Sequence, residues 1–148
     1  MILKSDGQLL VFGEGSYGQL GHGDNQNKNT PTLLMKDKDI IAIACGSNHS
    51  MILKSDGQLL VFGEGSYGQL GLGDNQSKNT PTLLMKDKDI IAIACGSLHS
   101  MILNSDGQLL VFGEGSYGQL GLGDNQNKNT PTLLMKDKDK KEKRGTKR

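Results

Sequence analysis

Three glycine-rich segments have the spacing of nucleotide-binding loops. Residues 13–18, 63–68 and 113–118 each read Gly-Glu-Gly-Ser-Tyr-Gly, which fits G-x-G-x-x-G, and each follows a short apolar run. Dinucleotide-binding folds place this pattern where a strand leads into a helix. Protein kinases use a similar loop over the phosphates of ATP. A nucleotide site is therefore the first chemistry to test.

The surroundings of these segments fit neither kind of nucleotide site. A dinucleotide loop must open a helix whose N-terminus faces the pyrophosphate, but here further glycines lead to Pro31, which is hostile to a helix. The lysine strand and catalytic aspartate loop of a kinase do not follow, and the motif occurs three times where an enzyme needs one. We predict instead that the glycines permit positive φ and close backbone approach where the chain leaves a strand and crosses the edge of its sheet.

Cysteine and histidine recur together in two segments. Cys45 and His49 lie four residues apart, and so do Cys95 and His99. A metal site or an acid–base pair is one interpretation, but one cysteine and one histidine at this spacing do not make a metal site. We predict structural histidines whose rings bond to a neighbouring loop, and two equivalent buried thiols in a reduced, intracellular setting. Leucine replaces His22 in the other copies, which predicts a tolerant, partly apolar surface position.

Several acidic residues have positions that could make them ligands or contact residues. Residues 24–29 suggest a calcium loop but lack its glycine at position six and its glutamate at position twelve, so an asparagine-rich turn is predicted. Residues 37–39 predict a charged turn between repeats. Glu14, Glu64 and Glu114 could form an acidic stripe for a partner, with a solvated face as the default interpretation. The sequence thus predicts no catalytic, cofactor-binding or metal-binding residue, and no cofactor.

The elements that position these residues follow from an internal repeat of 50 residues. Residues 51–100 differ from residues 1–50 only at positions 72, 77 and 98, and residues 101–139 repeat the unit again. A fixed period in this range indicates a propeller or a solenoid. We divide the chain into repeats at about 1–39, 40–89 and 90–139, followed by a tail at 140–148.

Each repeat reads as about four strands and no helix. The apolar run at 90–95 predicts a strand buried on both faces, and the apolar runs on either side of Asp106-Gly107 predict a hairpin with a type I′ turn. Residues 113–131 predict a long loop. Residues 130–135 predict a short strand in which Pro131 is tolerable at the start or on an edge. The prediction is an all-β fold of three four-stranded propeller blades that form an incomplete, open propeller.

Bulk composition excludes few classes of protein. Of the 148 residues, 34% are apolar and 21 are glycine, and the formal net charge of +1 favours neither nucleic acid nor membrane. No membrane span or secretory signal is expected. Residues 138–148 hold seven basic and two acidic residues, which predicts a disordered tail. Nuclear import or contact with a phosphate backbone is one hypothesis for it, and a solubilising end or linker is the other.

The sequence resembles the repeat of the regulator of chromosome condensation family. The segments that carry the resemblance are GSYGQLGLGDNQNKNTPTLL and IIAIACGSLHSMILNSDGQLLVFGEG, and the likeness covers about residues 1–139. Phe12 stands where that family often has tryptophan, and Glu14 and Ser16 depart from its usual polar pattern. The resemblance implies a β-propeller, usually of seven blades, whose loop-rich faces bind proteins.

Three functions are compatible with that resemblance. The first is a non-enzymatic scaffold, cytoplasmic or nuclear, that binds a protein partner through its loop face. The alternatives are a guanine-nucleotide exchange factor for a small GTPase or a chromatin-associated regulator, and the substrate-binding part of a ubiquitin ligase. Because closed propellers have about four to eight blades, three repeats predict a fragment or a chain that associates with copies of itself. Nucleic acid or nucleosome contact through the tail is a weaker hypothesis, and no membrane partner is expected.

Overall fold

The computed structural model describes residues 1–137, which form three antiparallel sheets and no helix. The first sheet contains β1 (Ile2–Leu3), β2 (Gln8–Gly13) and β3 (Lys28–Lys36). The second contains β4 (Ile40–Cys45), β5 (His49–Lys54), β6 (Gln58–Gly63) and β7 (Lys78–Lys86). The third contains β8 (Ile90–Cys95), β9 (His99–Asn104), β10 (Gln108–Gly113) and β11 (Lys128–Lys136). The predicted basic tail lies outside the described residues.

Strands follow one another in chain order within each sheet, as in a propeller blade. The all-β, open architecture predicted from the repeat is confirmed. The first sheet contains three strands, and the second and third sheets contain four strands each.

The hairpin predicted at each Asp-Gly step is confirmed, but the predicted type I′ turn is wrong. Gly57 has a φ of +89°, whereas Asp56 keeps a negative φ, so a type I′ turn is excluded. The Gly57 amide donates to the Lys54 carbonyl at 2.9 Å. This matches a three-residue loop in which a type I turn is followed by a left-handed glycine. The Asp56 carboxylate accepts the Gln58 amide at 3.1 Å, which stabilises the turn without a positive φ at the aspartate.

The two edge strands of each four-stranded sheet also differ from the prediction. The prediction that the apolar run at 90–95 is buried on both faces is wrong, because Ile91 is 61% exposed. It lies at a register shift in the pairing of β8 with β9, where an extra residue is left unpaired. The outer strand β11 begins at Lys128, earlier than predicted, and it carries Pro131 on an edge, where the missing N–H costs no ladder bond.

The hydrophobic cores lie between the sheets rather than within them. Between the first and second sheets, Leu9, Ile40, Ile52 and Phe62 form one buried cluster. A second cluster joins the second and third sheets, and its buried members are Met51, Leu53, Leu59, Val61, Leu70, Ile90, Ile102 and Phe112. Alternate residues of each strand thus pack against different neighbours, so the second sheet is covered on both faces.

An aromatic ring packed on a glycine recurs at both junctions. A Cβ added to Gly21 would lie 3.0 Å from the Phe62 ring, and one added to Gly71 would lie 2.9 Å from the Phe112 ring. Both glycines have positive φ values, +78° and +73°. Only glycine combines this backbone conformation with so close an approach. The stacking distance between sheets therefore depends on these two positions.

Buried hydrogen bonds connect the same sheets. The Ser50 and Ser100 hydroxyls donate to the Gln19 and Gln69 carbonyls at 3.0 and 2.8 Å. Since the Ser100 proton is used in this way, the Nε2–H of His49 donates to Ser100 Oγ at 2.9 Å. The His49 ring therefore has a hydrogen-bond partner, as predicted for a structural histidine. That partner, Ser100, lies in strand β9 and not in a loop.

Burial lowers the pKa of His49 from 6.5 to about 4. The unfolded chain therefore binds a proton between these values while the folded chain does not, so acidification favours unfolding. We expect the free energy of unfolding to fall by about 2 kcal/mol between pH 7 and pH 5 from this histidine. Urea unfolding at both pH values should show that His49→Gln removes this part of the pH dependence.

The free energy of unfolding of His49→Gln should therefore depend less steeply on pH than that of the wild-type chain. Equal slopes for the wild type and His49→Gln would show that the buried His49 ring is not the titrating group.

Candidate functional site

The glycine-rich loop after β2 uses its own amides and leaves few for a ligand. The Gly15 amide donates to Asn27 Oδ1 at 2.9 Å, and the Tyr17 amide donates to Gln19 Oε1 at 2.8 Å. The Gly18 amide donates to the Gly15 carbonyl at 2.9 Å. A phosphate cradle needs such amides to converge on the ligand, so this loop is not built as one.

The structural role predicted for these glycines is confirmed. Gly13 and Gly18 have φ values of +106° and +80°. A Cβ added to Gly18 would lie 2.6 Å from Cα of Asn79, which belongs to the next sheet. The loop crosses from one sheet to its neighbour, and the Gly23 amide fixes it there by donating to the Asn79 carbonyl at 2.7 Å.

The two cysteines differ, contrary to the prediction of two equivalent buried thiols. Cys45 is exposed, whereas Cys95 is half-buried, and both are free. Cys95 packs against the core between the second and third sheets, while Cys45 is at the junction where the first sheet has only three strands. Burial raises the pKa of the Cys95 thiol to about 12, so this thiol stays protonated. Within residues 1–137, no three His, Cys, Asp or Glu side chains group as metal ligands.

The remaining polar candidates mostly serve local structure. His22 is half-buried, and its equivalent Leu72 packs against a core cluster, so the position lies at the margin of the core rather than on a tolerant surface. Asp24 accepts the Gln26 amide at 3.2 Å, as expected of a turn. In the turn after β3, the Lys54 ammonium lies 2.7 Å from the Asp37 carboxylate and lowers its pKa.

Glu14, Glu64 and Glu114 do not form the acidic stripe that their spacing suggested. Glu14 is exposed and Glu114 is half-buried, but Glu64 is only 8% exposed. Gln69 Nε2 donates to Glu64 Oε1 at 3.4 Å. The exposure of the three glutamates differs because the second sheet has a neighbouring sheet on each side, whereas each outer sheet has a neighbour on one side only.

The repeated feature that the sequence analysis missed is a tyrosine at the tip of each loop. Tyr17, Tyr67 and Tyr117 are 43%, 36% and 88% exposed, and we call these three residues the tyrosine rim. The sequence pattern could have identified these tyrosines, because each is the one aromatic residue of a glycine-rich polar loop. Each tyrosine amide is bonded to a glutamine side chain two residues later, so the loop tips share one conformation.

A groove of about 350 Å³ lies beside the first member of the tyrosine rim. Ser16, Tyr17 and Asn25 form one wall, and residues 77–80 of the second sheet form the other. The lining offers an aromatic face, the Lys78 ammonium, amides and hydroxyls. These groups suit a polar peptide segment better than an apolar cofactor. Separately, residues 1–137 contain no helix long and apolar enough to cross a membrane.

Comparison with solved structures supports a shared propeller architecture. Prp20p from Saccharomyces cerevisiae superimposes with a TM-score of 0.79 at 25% identity, over 91% of this chain and 36% of that one. Its structure was described together with its binding properties to Gsp1p and histones. Human WBSCR16 gives a TM-score of 0.73 at 27% identity, over 87% of this chain and 35% of that one. The chain thus spans about a third of the length of these structures.

Sequence relatives match over one repeat length. The Protein RCC2 homolog of Danio rerio is 38% identical over 53 residues, which cover 34% of this chain and 11% of the relative. The human E3 ubiquitin-protein ligase HERC2 is 38% identical over 47 residues, which cover 30% of this chain and 1% of the relative.

The model of the regulator of chromosome condensation (RCC1) repeat matches residues 6–53, 56–103 and 106–144. Each match starts at an Asp-Gly hairpin, and the first two matches therefore span parts of two sheets. The repeat boundaries predicted above, which follow the sheets instead, stay a prediction. Since the three matches cover most of the sequence, the chain belongs to the regulator of chromosome condensation (RCC1) repeat family.

Proposed function

We propose that this chain is a non-enzymatic module that binds a protein partner through the tyrosine rim. The observation that carries the proposal is one exposed tyrosine at the same place in every repeat. Tyrosine is enriched among the residues that dominate the binding energy of protein interfaces, because it offers a large apolar face and a polar tip.

The rigidity of the loops supports the same proposal. Gly18 and Gly21 amides close consecutive turns on the Gly15 and Gly18 carbonyls at 2.9 and 3.0 Å. The loop is further tied to the next sheet through Asn79. A partner that binds such a rim orders few additional residues, so less of the contact energy is lost to conformational entropy.

Non-enzymatic action is supported by the roles that the reactive groups already have. The Cys95 thiol is protonated because burial raises its pKa, and the His49 ring is committed to Ser100 in the adjacent sheet. Neither group is available as a nucleophile or base without disturbing a junction between sheets. The two free cysteines also support our proposal of a cytoplasmic or nuclear location.

A second candidate is nucleotide exchange on a small GTPase or a role at chromatin. It is favoured by the similarity to Prp20p, whose structure was described with its binding to Gsp1p and histones. The basic tail would add contacts to phosphate groups. The third candidate, substrate recruitment for a ubiquitin ligase, has the weaker support of one repeat shared with HERC2.

Replacing the tyrosine rim with serine at positions 17, 67 and 117 should weaken partner binding strongly. A partner isolated on the immobilised wild-type chain and then purified should bind the triple variant at least roughly tenfold more weakly, because exposed aromatic anchors dominate such interfaces. The measurement is a titration by biolayer interferometry.

The matched control replaces Leu33, Leu83 and Leu133 with serine, since these outer-strand residues are 52%, 51% and 49% exposed. This control should change the dissociation constant by less than about twofold, as surface residues outside a hot spot do. A control that weakens binding as much as the tyrosine variant would contradict a role for the rim.

A nucleotide-release assay separates the first two candidates. The purified chain is added to a small GTPase that carries a fluorescent guanine nucleotide, with EDTA as the positive control for release. We expect release at the intrinsic rate of the GTPase. Stimulated release would instead establish exchange activity and would replace the scaffold proposal.

A further inference from the structure

The two outer sheets carry the two halves of a junction that already occurs twice inside the chain. We infer that a second copy of the chain joins these halves head to tail. The surface lies next to Tyr117 of the tyrosine rim, but its junction is formed by Phe12, Gly118 and Gly121, so this inference does not rest on the proposed function.

The apolar half of the junction is a ring on a glycine. At the internal junctions Phe62 packs on Gly21 and Phe112 packs on Gly71, and both rings are fully buried. The equivalent Phe12 of the first sheet is 45% exposed. Among residues 1–137, only Leu134 methyl groups approach the space above Gly121, at 3.3 and 3.5 Å, and no ring contacts it.

The polar half of the junction is a backbone hydrogen bond. Internally, the Gly23 amide donates to the Asn79 carbonyl at 2.7 Å, and the Gly73 amide donates to the Asn129 carbonyl at 2.8 Å. The equivalents at the two outer sheets are the Gly123 amide and the Asn29 carbonyl. Within residues 1–137 these two groups do not meet each other, because they belong to opposite ends of the arc.

The space for a docking strand is also preserved beside Gly118. A Cβ on Gly18 would lie 2.6 Å from Cα of Asn79, and one on Gly68 would lie 2.7 Å from Cα of Asn129. A Cβ on Gly118 would meet no atom of the described part of the chain within 4 Å. The third loop therefore has room for the first-sheet segment that contains Asn29.

A second copy is the occupant that the sequence itself supplies. The phenylalanine, glycine and asparagine of the junction are the same in all three repeats, so another copy presents residues that already pack here. Such a contact is heterologous, with one end of a copy on the other end of its neighbour. Two copies would supply six sheets, which falls within the four to eight blades of closed propellers.

Sedimentation equilibrium of the 148-residue chain over a wide concentration range tests this inference. The wild-type chain should associate, with a dimer as the closed form. Phe12→Ala removes the ring and should leave a monomer. Gly118→Asn blocks the other end and should also leave a monomer, since asparagine tolerates positive φ and the side chain has free space in the single copy.

The decisive sample is an equimolar mixture of the two variants. Phe12→Ala keeps the glycine end, and Gly118→Asn keeps the ring, so together they can form one junction and should give a one-to-one dimer. Leu33→Ala, which removes an equally exposed apolar side chain elsewhere, should associate like the wild type. Thermal melting confirms that each variant is folded.

Three results would overturn the inference. A wild-type chain that stays monomeric would leave both ends uncovered by a second copy. Variants that associate as the wild type does would show that another surface is used. Two monomeric variants whose mixture stays monomeric would exclude a head-to-tail contact.

Discussion

The packing of a phenylalanine ring on a left-handed glycine of the preceding repeat is the constraint on which the whole arc depends. Phe62 on Gly21 and Phe112 on Gly71 set how closely neighbouring sheets approach. Neither core cluster is formed within a single sheet. Each repeat is therefore stable only as part of a stack, as in other repeat proteins whose units bury their apolar faces against neighbours.

The same stacking explains how a rigid rim arises from glycine-rich loops. Each loop is closed by its own amides and side chains, and the Gly23 and Gly73 amides tie the first two loops to the adjacent sheets. Glycines that look like a phosphate-binding motif serve this close approach. The tyrosines are left at the loop tips in equivalent positions, which is the geometry expected of a repeated protein-binding surface.

Local features of the fold were predictable from the sequence, whereas burial was not. Apolar runs, the Asp-Gly hairpin and the edge proline each depend on a few adjacent residues, and all were predicted. Phe12 and Phe62 have the same sequence neighbours, yet one is 45% exposed and the other is fully buried. The unequal cysteines and glutamates have the same cause, because a side chain's burial depends on which sheet lies beside it. The tyrosine rim was missed because the sequence analysis considered only residues with catalytic, metal-binding or charged side chains as candidate sites.

Native-state hydrogen exchange, measured where the chain is monomeric, tests most directly the claim that stacking stabilises each sheet. Strands β2, β6 and β10 have the same sequence and differ only in their neighbours. Amides of β6, in the sheet covered on both faces, should exchange more slowly than their equivalents in β2 and β10. Equal exchange rates in the three strands would contradict it and would mean that each sheet is stable by itself.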